Sequence, residues 1–334
     1  MVSVIIPVFN EEKHITGVLK GLFRQDWIQE YEIVLVDGQS EDGTLPIIAD
    51  TSRDAPAHCK IRVLSNPKRH IPISLNLACR EARGEIIIRL DGHTYPPSDY
   101  VSRSVRALEA VKYKGIVGGR WDIVPAGSSA CAKAIAAAVS HPAGIGNPAY
   151  RTHRGSEQGL ITVDTVPFGA YPRHLWEELG GYDEAMLANE DYDFIWRARQ
   201  KGYSAYLDPN LVLQYVARGN LKLLWKQYFR YGYWVSHFLV KHRVVPTPRK
   251  LAPLSLLVSV VVLMLISPWL GFTLIGTYLC ALAVVAGFEA LKGTIPVRAI
   301  PSFAGSLATL HWAYGLGNLV GLPAALGRLC RRSC

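Results

Sequence analysis

Val2-Ser3-Val4-Ile5-Ile6-Pro7-Val8-Phe9-Asn10-Glu11-Glu12 opens the chain with an apolar run that stops abruptly in polar residues. A run of that length and β-branched content reads as a buried strand. Behind it Ile15, Val18, Leu19, Leu22 and Phe23 fall at i, i+3, i+4, i+7 and i+8, one face of a helix. The pattern then repeats. Residues 33–36 read as a second buried strand ending at Asp37, residues 61–64 as a third, and residues 85–90 as a fourth ending at Asp91. Helical stretches follow near residues 72–83 and 98–112, and residues 115–119 read as a fifth strand. Such alternation needs crossover helices and predicts an α/β domain on a mostly parallel sheet. Ligands of such sheets bind beyond the carboxyl ends of the strands. Three of these strands finish in Phe9-Asn10-Glu11, Asp37-Gly38 and Asp91-Gly92-His93. One such ending is an ordinary solvated loop; three at one sheet edge predict a site.

Composition divides the chain. Its 334 residues are 49% hydrophobic and 19% charged, apolar for a soluble enzyme yet too charged for a wholly transmembrane chain. Residues 218–250 carry eight Lys or Arg and no Asp or Glu, and residues 251–334 carry five against Glu289 alone. The total of +9, less +8 and +4, leaves −3 for residues 1–217. Basicity beside the apolar part suits contact with anionic lipid headgroups. A nucleic-acid partner would need a basic face on the folded half and is not expected. The six cysteines, at 59, 79, 131, 280, 330 and 334, are scattered without a C-x-x-C or His-Cys cluster, which suggests neither a zinc site nor a disulfide framework. The first residues lack a basic n-region and a small-residue cleavage site, so the N-terminal half is expected to stay in the cytoplasm.

Residues 251–288 run for 38 residues without a charged side chain. As helix this is about 57 Å, nearly two crossings of a ~30 Å hydrocarbon core. Ser267-Pro268-Trp269-Leu270-Gly271 breaks the run and predicts a helical hairpin. Residues 299–327 are a third apolar segment, interrupted by His311, Asn318, Pro323 and five glycines. A full span there would place Arg328, Arg331 and Arg332 outside, against the positive-inside rule, so two spans plus a re-entrant segment and three spans both stay open. Leu221–His242 mixes Trp225, Tyr228, Phe229, Tyr231, Tyr233, Trp234 and Phe238 with Lys222, Lys226, Arg230 and Lys241, which suits a helix lying in the headgroup plane. The expected division is a catalytic domain over 1–217, basic aromatic interfacial helices over 218–250, and a membrane region of two to three apolar helices over 251–334.

Three clusters can carry chemistry. Asp91 and His93, two apart on a turn, offer a carboxylate oxygen and an imidazole to Mn²⁺ or Mg²⁺, with diphosphate oxygens completing the shell. Asn189-Glu190-Asp191, with Asp193 and Arg197, precedes Phe194-Ile195-Trp196 and opens a helix whose dipole favours acids. Those acids are either helix-end charges or a general base; Asp191 is the first candidate base and Glu190 its rival. Asp37-Gly38-Gln39-Ser40-Glu41-Asp42-Gly43-Thr44 places an acid where it can hold a uracil N–H or a ribose hydroxyl, and Asp42 and Gly43 can equally be turn and cap.

Taken together and in order, Val4-Ile5-Ile6-Pro7-Val8-Phe9-Asn10-Glu11-Glu12, the run from Asp37 to Thr44, Asp91-x-His93 and Asn189-Glu190-Asp191 resemble family 2 inverting glycosyltransferases of the GT-A fold. Within that family the chain is similar to bacterial enzymes that extend lipid-linked exopolysaccharide or cell-envelope repeat units, succinoglycan-type glucosyltransferases among them. The resemblance covers roughly residues 2–240. It implies that Pro7, Phe9, Asn10 and Glu11 line a uracil and ribose, that Asp37 holds the base, and that Arg69, Asn76 and Asp91 contact the donor. Asp91 and His93 occupy the family's D-x-D metal positions, with histidine a departure that is still a competent ligand when neutral. Gly169, Ala170 and Tyr171, with Arg173, resemble an acceptor-side loop. Asp191 matches the second acid of the family's E-D pair, its catalytic base. Gln227-Tyr228-Phe229-Arg230-Tyr231 resembles the Q-x-x-R-W motif of processive synthases with Tyr for Trp, so Gln227 and Arg230 face a donor diphosphate or an acceptor phosphate.

The implied activity is inverting transfer of a sugar from a nucleotide-sugar donor, UDP-linked by resemblance, to a lipid-linked saccharide at the cytoplasmic face of the inner membrane. Rival readings are transfer directly to polyprenyl phosphate or another lipid such as a diacylglycerol, a membrane interaction protein with a degenerate domain, and a nucleotidyltransferase. The oligomeric state stays open.

Overall fold

The computed structural model describes residues 1–153, 159–245 and 247–332. In chain order the elements are β1 (Val2–Val8), α1 (Ile15–Phe23), β2 (Tyr31–Asp37), α2 (Thr44–Thr51), β3 (Cys59–Ser65), α3 (Ile71–Glu81), β4 (Ile86–Arg89), β5 (Thr94–Tyr95), α4 (Tyr100–Ala110) and β6 (Gly115–Val124). There follow α5 (Ala130–Ala138), α6 (Pro142–Ile145), α7 (Ala149–Thr152), β7 (Ile161–Val163), β8 (Ala170–Pro172), α8 (Arg173–Glu178), α9 (Glu190–Gln200) and β9 (Ser204–Val216). The last four helices are α10 (Leu221–His242), α11 (Ala252–Ile266), α12 (Pro268–Leu291) and α13 (Ile300–Arg332). The chain forms two compact units, one from residues 1–122 and 148–215, the other from 123–147 and 216–334.

In the first unit β1 pairs in parallel with β2 and β4, and β2 with β3. β1 and β2 are buried through most of their length, with Val4, Ile5, Ile6, Ile33, Val34, Leu35 and Val36 fully inaccessible. Burial of each such aliphatic side chain stabilises by about 1.5–3 kcal/mol. Over this core α1 lays the face read from its spacing, Ile15, Val18, Leu19 and Leu22.

Beyond β4 the sheet is mixed rather than parallel. The order is β3-β2-β1-β4-β8-β6-β9-β5, with β7 on β9. β8 lies antiparallel to both β4 and β6, so β4 and β6 run the same way with β8 between them. The crossover through α4 was therefore legible, but the strand inserted between its ends was not, because three residues show no periodicity.

Registers place the site. Val8 pairs with Asp37 and Ile5 with Arg89, so the segments after β1, β2 and β4 emerge at one edge. Gly92 passes so close to Glu11 that a Cβ there would lie 3.0 Å from its Cγ.

The second unit is helical. Its core joins Ala134, Ile135 and Ala138 of α5 to Leu224 and Tyr228 of α10, Leu282 and Ala286 of α12, and Phe303, Leu307 and Ala313 of α13. Residues 123–147 thus pack with the C-terminal helices, whereas the sequence division kept them in the catalytic domain; the alanines of α5 leave room for the larger Phe303 and Leu307 of α13. α10 and α13 approach through Gly232 against Tyr314, Gly317 against Phe229 and Gly321 against Tyr233. Ser236 Oγ donates to the Asn318 carbonyl at 2.9 Å at the same crossing. The aromatic set of α10 is divided by this packing: Tyr228, Trp234 and Phe238 are buried and Trp225 is exposed.

Ser267 is extended, with φ −159° and ψ 124°, and separates α11 from α12 where the break was expected. Among the described residues one helix, α12, is long and apolar enough to cross a membrane. α11 has 15 residues. That is roughly 22 Å of helix, short of a ~30 Å core by itself. Trp269, Phe272, Leu279, Phe288 and Leu291 leave α12 with a largely exposed apolar surface. The third apolar segment is one continuous helix, α13, holding Ser306 and Asn318 fully buried. Cys334 lies outside the described residues.

At the α10–α13 crossing, Gly232→Leu forces a side chain into the Tyr314 backbone. We expect a loss of about 1–3 kcal/mol, read as a thermal midpoint lowered by several degrees in detergent-solubilised protein.

Candidate active site

The loop after β1 and the loop after β2 are bound to one another. Asn10 N–H donates to Ser40 Oγ at 2.9 Å, Glu41 N–H to Asn10 Oδ1 at 2.8 Å, and Glu11 N–H to Thr44 Oγ1 at 2.7 Å. Asp37, at the end of β2, accepts the N–H groups of Gln39 at 3.0 Å and Ser40 at 3.2 Å. Its carboxylate therefore shapes the turn that carries Ser40. Phe9 is 44% exposed, and the Arg69 guanidinium lies 5.7 Å from its ring centroid while pairing with Glu41 at 2.8 Å. Phe9, Asn10, Glu11, Asp37 and Arg69 thus lie in one cluster, with Pro7 one pair before the Val8–Asp37 end of the β1–β2 ladder.

Asn76 is not among them. Its side chain is buried, donating to the Tyr182 carbonyl at 2.9 Å and accepting from Tyr182 N–H at 2.8 Å and Trp176 Nε1 at 3.2 Å. Both ends of the amide hold the 181–182 turn, so the expected donor contact is corrected to a structural one. Ala170 and Tyr171 are corrected likewise. They form β8 inside the sheet, at 2% and 1% exposure, and Tyr171 Oη shares a 3.0 Å hydrogen bond with Tyr182. Gly169 precedes the strand, and its carbonyl accepts from Arg89 N–H at 3.2 Å. Gln227 and Arg230 lie three residues apart on α10 of the second unit.

His93 Nδ1 lies 2.8 Å from Glu11 Oε1. A carboxylate accepts, so Nδ1 carries the proton, which in the neutral ring leaves the lone pair on Nε2. This is the arrangement that orients metal-binding histidines. The His93 ring stands 5.9 Å from Tyr215, which stacks on Trp121 at 4.1 Å and 2°. His14 lies 6.3 Å from His93 and is held by Tyr95 Oη at 2.9 Å. Asp91 and His93 fit a divalent ion in donor chemistry and in the anchoring of the imidazole. Among the described residues no group of three or more His, Cys, Asp or Glu converges on a metal position. The remaining ligands would be diphosphate oxygens and water, as suits Mg²⁺ or Mn²⁺ in a phosphate site.

The acids of α9 have separate tasks. Asp193, fully buried, pairs with Arg197 at 2.8 Å, and Arg197 also donates to the carbonyls of Leu179 and Gly181. Glu190 is buried against Arg89 at 2.8 Å. Asp191 is half-buried and lines a small cavity with Arg89, Phe168, Gly169 and Tyr182. Asn189 before them makes no side-chain cap and adopts φ 59°, while Asp191 Oδ1 accepts the Tyr192 N–H at 2.7 Å, so Asp191 also satisfies the helix start.

Arg89 was missed in the sequence, although a charged residue closing a buried strand two positions before Asp91 is a signal. It is 5% exposed, and the same Nη2 that meets Glu190 lies 3.4 Å from Asp91 Oδ1. Among the described residues, its Nε and Nη1 are buried with no hydrogen-bond partner. Each such unmet donor costs about 1–3 kcal/mol. Burial works against the charge, but Asp91 and Glu190 hold the guanidinium protonated, its pKa well above the usual value. Burial pushes the Glu190 carboxyl up, with Arg89 pulling it back down and Asp191 adding to the rise. Asn10, Gln39, Arg69 and Asn189 all hold left-handed φ, at 55°, 64°, 60° and 59°. Such strain, of order 1–3 kcal/mol each, gathers where a site is held in one shape.

Residues 3–179 match the family described as Glycosyl transferase family 2. A relative in Methanococcus voltae, dolichyl N-acetyl-alpha-D-glucosaminyl phosphate 3-beta-D-2,3-diacetamido-2,3-dideoxy-beta-D-glucuronosyltransferase, is 30% identical over 69% of this chain and 71% of its own length. Succinoglycan biosynthesis protein ExoA of Rhizobium meliloti is 27% identical over 93% of this chain and 92% of its own. Among solved structures, mannosyltransferase PcManGT from Pyrobaculum calidifontis, in complex with GDP-Man and Mn²⁺, shares the fold with a TM-score of 0.61 at 21% identity, over 95% of this chain and 86% of that one.

Glu11→Gln removes the charge that anchors His93. Mn²⁺ affinity in the presence of UDP is expected to fall about 10–100-fold, read from the electron paramagnetic resonance signal of free Mn²⁺.

Proposed function

Because the chain belongs to glycosyl transferase family 2, we propose that it moves a sugar from a nucleoside diphosphate donor, UDP-linked, onto a lipid-linked saccharide with inversion at the anomeric carbon. One observation carries this reading: Arg89 joins the Asp91 strand end to Glu190, 101 residues away, so the donor-side acid and the candidate base share one site.

The acceptor hydroxyl gives its proton to the Asp191 carboxylate as its oxygen attacks the anomeric carbon. The bond to the diphosphate breaks on the opposite face, and its electron pair leaves with the nucleotide. An α-linked donor sugar becomes β-linked. Asp91 and His93 would hold Mn²⁺ or Mg²⁺, which when bound supplies Lewis-acid neutralisation of the leaving diphosphate. Support for a divalent ion comes from the Glu11-anchored imidazole of His93 and from the Mn²⁺ complex of a protein with the same fold. Phe9, Asn10 and Arg69 surround the nucleoside, and the Asp37 turn presents Ser40 to it.

The second unit serves as the anchor. The exposed apolar surface of α11 and α12 enters the bilayer, while the +8 segment over residues 218–250 meets anionic headgroups on the cytoplasmic side. Gln227 and Arg230 of that segment would meet a diphosphate or an acceptor phosphate. The names of two relatives, one acting on a dolichyl-linked sugar phosphate and one in succinoglycan biosynthesis, favour a lipid-linked acceptor in exopolysaccharide or cell-envelope glycan synthesis.

The test is transfer by the purified full-length enzyme from radiolabelled UDP- and GDP-sugars to extracted polyprenyl-linked saccharides, to polyprenyl phosphate and to diacylglycerol. We expect β-linked product on the saccharide acceptors, dependence on added Mn²⁺ or Mg²⁺, and a kcat reduced about 10²–10⁴-fold by Asp191→Asn. Unchanged turnover in that variant would remove Asp191 as the base; product on polyprenyl phosphate alone would move the acceptor to the lipid itself.

A further inference from the structure

We propose that Arg89 is a positioning residue for sugar transfer: through one guanidinium nitrogen it ties Glu190 to Asp91 and so sets the Asp191 base against the donor side. The inference rests on the reading of Asp191 as the base and gives Glu190, its rival, a different task.

Arg89 ends β4 after Ile87 and Ile88, which are fully buried, and is itself 5% exposed. Buried ion pairs are often replaceable by apolar residues without loss of stability, so stability alone does not account for a charge in that position. Its contacts instead follow the site. Nη2 reaches Glu190 Oε1 at 2.8 Å and Asp91 Oδ1 at 3.4 Å, and the guanidinium carbon lies 6.0 Å from the centre of the Phe168 ring.

Glu190 is the first residue of α9 and Asp191 the second. Holding the Glu190 side chain to the end of β4 therefore fixes the rotation of the helix's first turn, which decides where Asp191 points. Glu190 is 5% exposed and engaged by Arg89, so it is poorly placed to meet an acceptor hydroxyl. Asp191 is half-buried and is the more accessible carboxylate of the two. Asn189, in left-handed conformation immediately before, belongs to the same fixed turn.

The test uses full-length enzyme carrying Arg89→Met, Arg89→Met with Glu190→Leu, and Arg89→Lys. Wild type defines the working donor from the UDP- and GDP-sugar panel, and calorimetry with Mn²⁺ and UDP or GDP reads donor-side binding separately. In Arg89→Met we expect kcat to fall about 100-fold, the cost of a base displaced by about 1 Å, with donor KM and Mn²⁺–nucleotide affinity within about threefold of wild type. The double variant removes both buried charges, so its thermal midpoint returns to the wild-type value or above while kcat stays low. Arg89→Lys keeps a charge toward Glu190 without the planar fork and is expected to fold and to turn over between the two extremes.

Recovery of kcat together with the midpoint in the double variant would overturn the inference, leaving Arg89 a structural residue. So would wild-type turnover in Arg89→Lys, or a donor KM that rises in step with the loss of kcat. Those outcomes leave Asp191 as the base; full turnover in Asp191→Asn would remove the base and this inference with it.

Discussion

A guanidinium sealed at the end of a buried strand stays charged only if carboxylates come to it, and much of the first unit is arranged to meet that demand. Arg89 closes β4 among isoleucines and draws Asp91 from its own strand end and Glu190 from the start of α9. Breaking one side of a buried pair leaves an uncompensated charge, at about 3–5 kcal/mol. The strand end and the helix start are therefore bound to one another more tightly than packing alone would require. The mixed sheet serves the same end. β8 enters between β4 and β6, and the Gly169 carbonyl before it accepts from the Arg89 backbone, which keeps the arginine in register with the wall of the cavity.

The paired loops after β1 and β2 are rigid for a different reason. They hold each other by backbone N–H groups donated to Ser40, Thr44, Asn10 and Asp42 side chains, while Asp37 orders the turn between them. Left-handed φ at Asn10, Gln39 and Arg69 shows that this network over-determines the backbone. Such preorganisation lowers the entropy lost when a ligand is bound. Glu11 links the two halves of this surface, with its backbone bound to Thr44 after β2 and its carboxylate on His93.

In the second unit, small residues decide the packing. Gly232, Gly317 and Gly321 bring α10 and α13 close enough for Ser236 to reach the Asn318 backbone, a mode suited to helices in lipid, where dispersion and polar contacts replace the hydrophobic drive. The same closeness buries Tyr228, Trp234 and Phe238, which a reading of α10 as a simple interfacial helix would leave in the headgroups.

The amino-acid sequence alone determined the features that depend on neighbours along the chain. Strand–helix alternation, the face of α1, the polar endings after Val8, Asp37 and Leu90, the limits of α10 and the break at Ser267 all follow from periodicity and turn chemistry. So does the meeting of Phe9, Asn10, Glu11 and Asp37 at one edge, because parallel strands must emerge there together. Tertiary structure alone decided what depends on residues about a hundred positions apart. Asn76 holds the turn at Tyr182, Ala170 and Tyr171 form an inner strand rather than a loop, and Arg89 meets Glu190. A short strand has no period to read, and an amide or guanidinium looks the same in sequence whether it faces a ligand or another chain segment. Those assignments belong to packing, which sets what each polar group finds once water has been excluded.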